Sequence, residues 1–197
     1  MTDRKRLSSP SSPDSGGRLF VISGPSGSGK STIIRRVLDR TSVEFSVSAT
    51  TRSPRPGEVD GSHYLFPTPD RFRAMIDEDA LLEWAVYNGH YYGTPLGPIE
   101  EANRSGRSVL LDIEIQGARQ VRNHMPRATM IFIAPPTLTE MERRLRTRGD
   151  TSEEDIAERL LIAETQLEEA PLLFDHMVIN DDLDEAVEKV VSLVTDS

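Results

Sequence analysis

Short apolar runs alternate along the chain with longer segments whose apolar residues recur every three or four positions. Leu19-Phe20-Val21-Ile22-Ser23, closed by Gly24-Pro25, is almost wholly apolar, as a strand covered on both faces must be. Ser31 to Arg40 then sets Ile33, Ile34, Val37 and Leu38 at helical spacing among Arg35, Arg36 and Arg40. Phe45-Ser46-Val47-Ser48 alternates, which predicts a strand. From Thr50 to about Thr94 the pattern breaks up. Pro54, Pro56, Gly57, Gly61, Pro67, Pro69, Gly89 and Gly93 punctuate polar-aromatic pieces around one predicted helix, Pro69 to Asp77. This reads as an insertion of small strands and loops, the kind of segment that carries ligand contacts. Alternation then resumes with a strand at Ser108 to Asp112, a helix around Ala118 to His124, and a strand from Ala128 to Ala134 stopped by Pro135-Pro136. Two charged helices (Thr137 to Thr147 and Glu153 to Glu169), a short strand (His176 to Ile179) and an amphipathic helix (Leu183 to Val194) complete the chain. Strands alternating with helices predict an α/β fold, a parallel sheet covered by helices on both faces.

The 197 residues suit one domain over residues 18–197, with 37% apolar residues to supply a core. Residues 1–17 are Ser, Pro, Gly and charge, with Leu7 the one large aliphatic after Met1, and predict a disordered tail. The absence of Cys excludes disulfides, thiolate metal sites and a cysteine nucleophile. No apolar stretch reaches the roughly 18 residues a membrane span needs, and the start lacks the apolar segment of a secretory signal, so the cytoplasm is the expected compartment. A net charge of -9 argues against general nucleic-acid binding, which needs a cationic surface. Clustered arginines still suit small anions.

Gly24-Pro25-Ser26-Gly27-Ser28-Gly29-Lys30-Ser31 fits G-x-x-x-x-G-K-[ST], placed between a buried strand and a helix start as the mechanism requires. The glycines let successive N–H groups turn inward onto phosphate oxygens, helped by the positive end of the helix. Lys30 would reach the β- and γ-phosphates and the Ser31 hydroxyl would help hold Mg²⁺. Together with Thr32 these residues predict a nucleoside triphosphate site, with the donor open between ATP and GTP. Asp112, after Val109-Leu110-Leu111, matches the apolar-strand-then-Asp element that supports Mg²⁺, although strands commonly end in Asp.

The insertion narrows the choice. Ser46 through Gly61 (S-V-S-A-T-T-R-S-P-R-P-G-E-V-D-G), with Tyr64 after it, strongly resembles the guanylate kinase family. Leu82-Glu83-Trp84-Ala85, Tyr91-Tyr92-Gly93-Thr94, Leu111-Asp112-Ile113-Glu114-Ile115-Gln116-Gly117 and Arg144-Leu145-Arg146-Thr147-Arg148-Gly149 continue the resemblance, which spans about residues 18 to 195. It implies a P-loop NTPase-type parallel sheet, a small mixed α/β GMP-binding insertion at about 50–94 and a helical lid at about 137–162. The activity it implies is transfer of the γ-phosphoryl group of ATP to GMP with Mg²⁺, serving guanine nucleotide synthesis and GMP recycling. Arg52, Arg55, Tyr64 and Tyr92 would bind the GMP phosphate: arginines fork onto anionic oxygens and tyrosines add neutral donors. Read without the family, the arginines are solvated loop charges and the tyrosines packing residues. Glu83 is the family's base-reading carboxylate. Its two oxygens suit guanine's adjacent N1–H and N2 amino donors, while Ser48 and Thr94 meet the O6 side; such polar pairing can discriminate by about 10⁴-fold.

The acidic pair Asp112 and Glu114 lies, in relatives, near the metal and the acceptor nucleoside; here the second acid is Glu where Asp is frequent. Arg144 and Arg148, four apart on one helical face, and Arg159 belong in the family pattern to the lid. There they stabilise charge on the phosphoryl group in flight, beside Lys30 and Arg52. Asn180 matches a segment near the ATP adenine. No general base is demanded, and His63, His90, His124 and His176 read as structural or exposed. Two other readings stand beside this one: a non-catalytic guanylate-kinase-like binding module, and a related P-loop kinase for another phosphorylated acceptor such as a sugar bisphosphate. Oligomeric state is open, monomer or homo-oligomer.

Overall fold

The structure, a computed structural model, describes residues 16–148 and 152–196. Five parallel strands form the central sheet: β1 (Leu19–Ser23), β2 (Glu44–Phe45), β6 (Val109–Asp112), β7 (Thr129–Ala134) and β8 (His176–Ile179), in the order β2-β6-β1-β7-β8. Because side chains alternate across a strand, each apolar run feeds two cores. Val21, Leu111, Met130 and Phe132 face one side; Phe20, Ile22, Leu110, Ile131 and Ile133 face the other. The first side is covered by α3 (Leu96–Arg104), α4 (Ile115–His124) and the C-terminal half of α6 (Glu153–Leu173), through residues such as Ile99, Ala118 and Ala170. The second is covered by α1 (Lys30–Leu38) and α7 (Leu183–Thr195), whose Ile33, Val37, Val187 and Val190 recur at helical spacing. A parallel sheet buried on both faces is what the uninterrupted apolar runs demand.

Between β2 and α3 the chain builds a separate antiparallel sheet, order β3-β5-β4, from β3 (Ala49–Thr50), β4 (Leu81–Tyr87) and β5 (His90–Pro95). With α2 (Pro69–Asp77), capped by the Thr68 hydroxyl, it encloses its own small core of Ala49, Phe72 and Leu81. Helix α5 (Leu138–Arg148) and the start of α6 form an antiparallel pair around Met141, Leu145 and Ile156.

Three elements differ from the sequence reading. Phe45 to Ser48 is not one strand: the chain leaves the central sheet after Phe45 and joins the small sheet at Ala49, so its alternation spans two sheets. Helix α3 was not predicted, because Pro95, Gly97 and Pro98 obscure its first turn. Helix α6 runs on through Pro171 to Leu173. The predicted tail lies outside the described residues except Gly16 and Gly17, and Gly17 is tied to Asn103 by two hydrogen bonds, its N–H to the carbonyl (3.0 Å) and its carbonyl from Nδ2 (2.9 Å). Among the described residues no helix is long and apolar enough to cross a membrane.

Candidate active site

The phosphate loop fills the turn between β1 and α1, at the carboxyl end of the strand where β6 and β7 flank it, the place where open α/β sheets bind ligands. At Gly24 φ is +148°, and a Cβ there would fall 2.2 Å from the Ile133 carbonyl of β7, so no side chain fits. The loop closes on itself through the Ser28 N–H to the Pro25 carbonyl at 3.1 Å. Lys30 Nζ donates to the Gly24 carbonyl at 2.6 Å and so spans the loop's mouth. Pro25, Ser26, Gly27, Gly29, Lys30, Ser31, Thr32 and Glu114 line an open pocket of about 200 Å³.

Asn180, from the segment expected near the ATP adenine, sits beneath this loop. It is buried, and its Nδ2 donates to the Ser28 carbonyl at 2.7 Å while its own N–H donates to Ala134 at 2.8 Å. From α5, Arg144 donates Nε to Glu140 Oε1 at 2.8 Å and Nη2 to the Asn180 carbonyl at 3.0 Å. From α6, Arg159 Nη1 reaches the Ser26 hydroxyl at 3.1 Å. The side chain of Arg148 lies outside the described residues. The structure therefore gathers two of the three lid arginines around the phosphate loop.

Asp112 ends β6, and Glu114 is the residue at which α4 begins. Burial pushes the Asp112 carboxyl above its ordinary range, the Lys30 ammonium opposes that rise and the Glu114 charge adds to it. The three charged groups thus share one neighbourhood beside Ser31. Hydroxyl and carboxylate oxygens suit a hard cation such as Mg²⁺. Among the described residues no group of three or more His, Asp or Glu side chains is placed to hold a metal ion.

The second set of predicted residues assembles in the small sheet. Arg52 lies over the rings of Tyr64 and Phe66, 5.0 and 5.6 Å from their centroids, and Tyr64 meets Tyr92 edge-on at 6.4 Å. Glu58, to which the sequence reading gave no role, forks onto Arg52: its two oxygens accept from Nη1 and Nη2, each at 2.6 Å. Arg52 Nη1 also donates to the Ser53 carbonyl at 3.0 Å, and Glu58 accepts the Arg55 N–H at 2.7 Å. These bonds, the Arg52 fork first, hold the Glu58 carboxyl at about 2 and bind the Arg52 proton more tightly. A carboxylate six positions after an arginine in a Pro/Gly-rich loop was the available signal. The Arg55 side chain is exposed. Burial, then the Asp112 charge, raises the Tyr64 phenol, so this cluster stands within electrostatic reach of the β6 end.

Glu83 of β4 and Thr94 of β5 are cross-strand partners, which puts both on one face. Thr94 Oγ1 donates to Glu83 Oε1 at 2.6 Å, and Glu83 is only 6% exposed. Burial pushes its carboxyl up and the Thr94 bond opposes the rise. Ser48, half-buried, enters β3 beside Tyr92's strand, with its carbonyl accepting the Leu65 N–H at 2.9 Å. One arm of the molecule thus offers a buried carboxylate with a hydroxyl, an arginine and two tyrosines. The other offers a cationic loop.

The family model described as guanylate kinase matches residues 16–197. A guanylate kinase of Synechocystis sp. is 51% identical over 179 residues, which covers 90% of this chain and 93% of that one. One of Thermus thermophilus is 50% identical over 179 residues, covering 91% and 80%. The crystal structure of guanylate kinase from Anaplasma phagocytophilum superposes with a TM-score of 0.73 at 29% identity, over 92% of this chain and 86% of that chain.

Proposed function

The chain belongs to the guanylate kinase family and transfers the γ-phosphoryl group of ATP to GMP, giving ADP and GDP, and we propose that it does so with the two residue sets described above. The observation that carries this assignment is the buried Glu83–Thr94 pair standing on the same small sheet as Arg52, Tyr64 and Tyr92. A base-reading end and a phosphate-holding end face one acceptor nucleotide. Glu83 accepts from N1–H and the N2 amino group of guanine, and Thr94 and Ser48 serve the O6 side. Glu58 and Ser53 occupy the Nη1 hydrogens and one Nη2 hydrogen of Arg52, so the Nε–Nη2 edge is left for the GMP phosphate. Tyr64, Tyr92 and Arg55 add donors there, and Asp112 and Glu114 stand beside the acceptor nucleoside.

Residues 24–32 hold the ATP phosphates, with Lys30 leaving the Gly24 carbonyl for them. Arg144, Arg148 and Arg159 of the lid, about residues 137–162, and Arg52 of the insertion, about 50–94, spread positive charge over the phosphoryl group as it passes. Asn180 serves ATP by bracing Ser28. Ser31 and Asp112 are the residues that hold Mg²⁺, an ion that neutralises charge on the phosphates when bound. Helix and loop closure excludes water and so protects ATP from hydrolysis. We place the enzyme in the cytoplasm, and its acidic net charge of -9 supports small-molecule substrates rather than nucleic acid.

Arg52→Ala should raise the KM for GMP by about 10–150-fold, the loss of one or two charge-assisted bonds, and leave the KM for ATP unchanged. Arg52→Ala should lower kcat as well, because the arginine shares the charge of the phosphoryl group in flight, whereas Lys30→Ala should lower kcat without raising the KM for GMP. An unchanged KM for GMP in Arg52→Ala overturns the acceptor assignment.

A further inference from the structure

Strand β4 is the outer strand of the small sheet, so one edge of its backbone has no neighbouring strand. Helix α4, which follows directly from Asp112 and Glu114, lies along that edge. Gln120 answers the backbone of Trp84 twice: its Oε1 accepts the Trp84 N–H at 3.2 Å and its Nε2 donates to the Trp84 carbonyl at 2.8 Å. One turn on, His124 Nδ1 donates to the Leu82 carbonyl at 2.9 Å. These two bonded residues bracket Glu83. One turn before Gln120 comes Gly117, on the same helical face. A Cβ on Gly117 would stand 2.4 Å from Glu83 Oε2 and 2.9 Å from its carboxyl carbon. To give way, the carboxylate must swing about the Oε1 that Thr94 holds, inside a buried site.

We propose that Gly117 and Gln120 are positioning residues for guanine selection: Gly117 leaves the space that the Glu83 carboxylate fills, and Gln120 sets the height of β4 beside it. The proposal rests on the reading of Glu83 as the base-recognising group. Neither residue touches the substrate. Both act through Glu83. Restoring an ordinary contact from 2.4 Å requires the carboxylate to move by about 1 Å, and a misplacement of about 1 Å can cost about 10²-fold.

The test is steady-state kinetics of the full chain with ATP and Mg²⁺, comparing GMP with IMP, which lacks the 2-amino group, and with AMP. Gly117→Ala should lower kcat/KM for GMP by about 10²-fold and shrink the GMP-to-IMP preference, with the KM for ATP unchanged. Gln120→Ala should act in the same direction by about tenfold. The decisive arm is a double-mutant cycle with Glu83→Asp, whose carboxylate withdraws by one methylene from the added methyl. Gly117→Ala should cost far less in the Glu83→Asp background than in the parent. A purely structural role for Gly117 would cost the same in both. Additive costs, or Gly117→Ala turning over GMP and IMP like the parent, overturn the proposal. If Glu83→Gln itself keeps the parent's preference for GMP over AMP, the reading of Glu83 fails and the proposal falls with it. If Glu83→Gln loses that preference while Gly117→Ala keeps it, only the positioning role falls.

Discussion

Replacing Glu83 by Gln separates recognition from stability. Thr94 Oγ1 donates to Oε1, so the amide of the variant keeps its carbonyl oxygen there and turns its NH₂ group to the Oε2 position beside Gly117. Guanine then meets one acceptor fewer and a donor facing its own donors. A charge-assisted hydrogen bond contributes about 1.5–3 kcal/mol and an unpaired buried donor costs about 1–3 kcal/mol. A combined loss of about 3–5 kcal/mol corresponds to a fall of about 10²–10⁴-fold in kcat/KM for GMP. The unliganded protein should respond the other way. Burial raises the Glu83 carboxyl in the folded chain, so folding takes up a proton between the unfolded and folded values, and stability declines as pH rises through that window. Above the window the parent carries a buried charge that the variant lacks. Thermal unfolding at pH 7–8 should therefore show the variant at least as stable as the parent. ADP release with GMP, run beside those melts, completes the assay. In the parent, GMP affinity should weaken as the pH falls into the raised titration range of Glu83, and the variant should lose that dependence. A variant within threefold of the parent on GMP, or one that melts well below it at neutral pH, refutes the reasoning.

Two further changes probe the phosphate loop. Asn180→Ala removes the buried donor to the Ser28 carbonyl and should destabilise the fold by about 1–3 kcal/mol in urea titration while raising the KM for ATP. Gly24→Ala combines a φ of +148° with a contact at 2.2 Å to the Ile133 carbonyl, and should cost more than about 2 kcal/mol, read as a lowered urea midpoint with turnover lost.

How much of this was legible in the sequence follows from how local each signal is. The phosphate loop is contiguous, and its glycines, lysine and serine occupy the turn that the motif describes. The central strands announce themselves because both faces are buried, so no polar residue interrupts Leu19 to Ile22 or Met130 to Ala134. The small sheet is harder to read. Its strands are two to seven residues long, and one face carries Glu83, Tyr92 and Thr94, so ligand chemistry replaces apolar alternation. There the family resemblance, rather than periodicity, identified the residues. Asn180 was placed on the ATP side by the resemblance alone; nothing local in the sequence shows that its side chain turns under Ser28, 152 positions away in the chain. Gly117 and Gln120 had no visible role because each acts on a partner that only the fold brings near, whereas the Glu58 signal, six positions from Arg52, was local.

The fork between Glu58 and Arg52 also bears on what the acceptor pocket ignores. A guanidinium already balanced by a carboxylate pulls weakly on a distant anion, and the chain as a whole carries a net charge of -9. On the reading proposed above, a molecule that plants its base against one end of the small sheet brings its own charge close enough to claim the remaining edge of the arginine, so selectivity for a whole nucleotide would begin with an internal counter-ion.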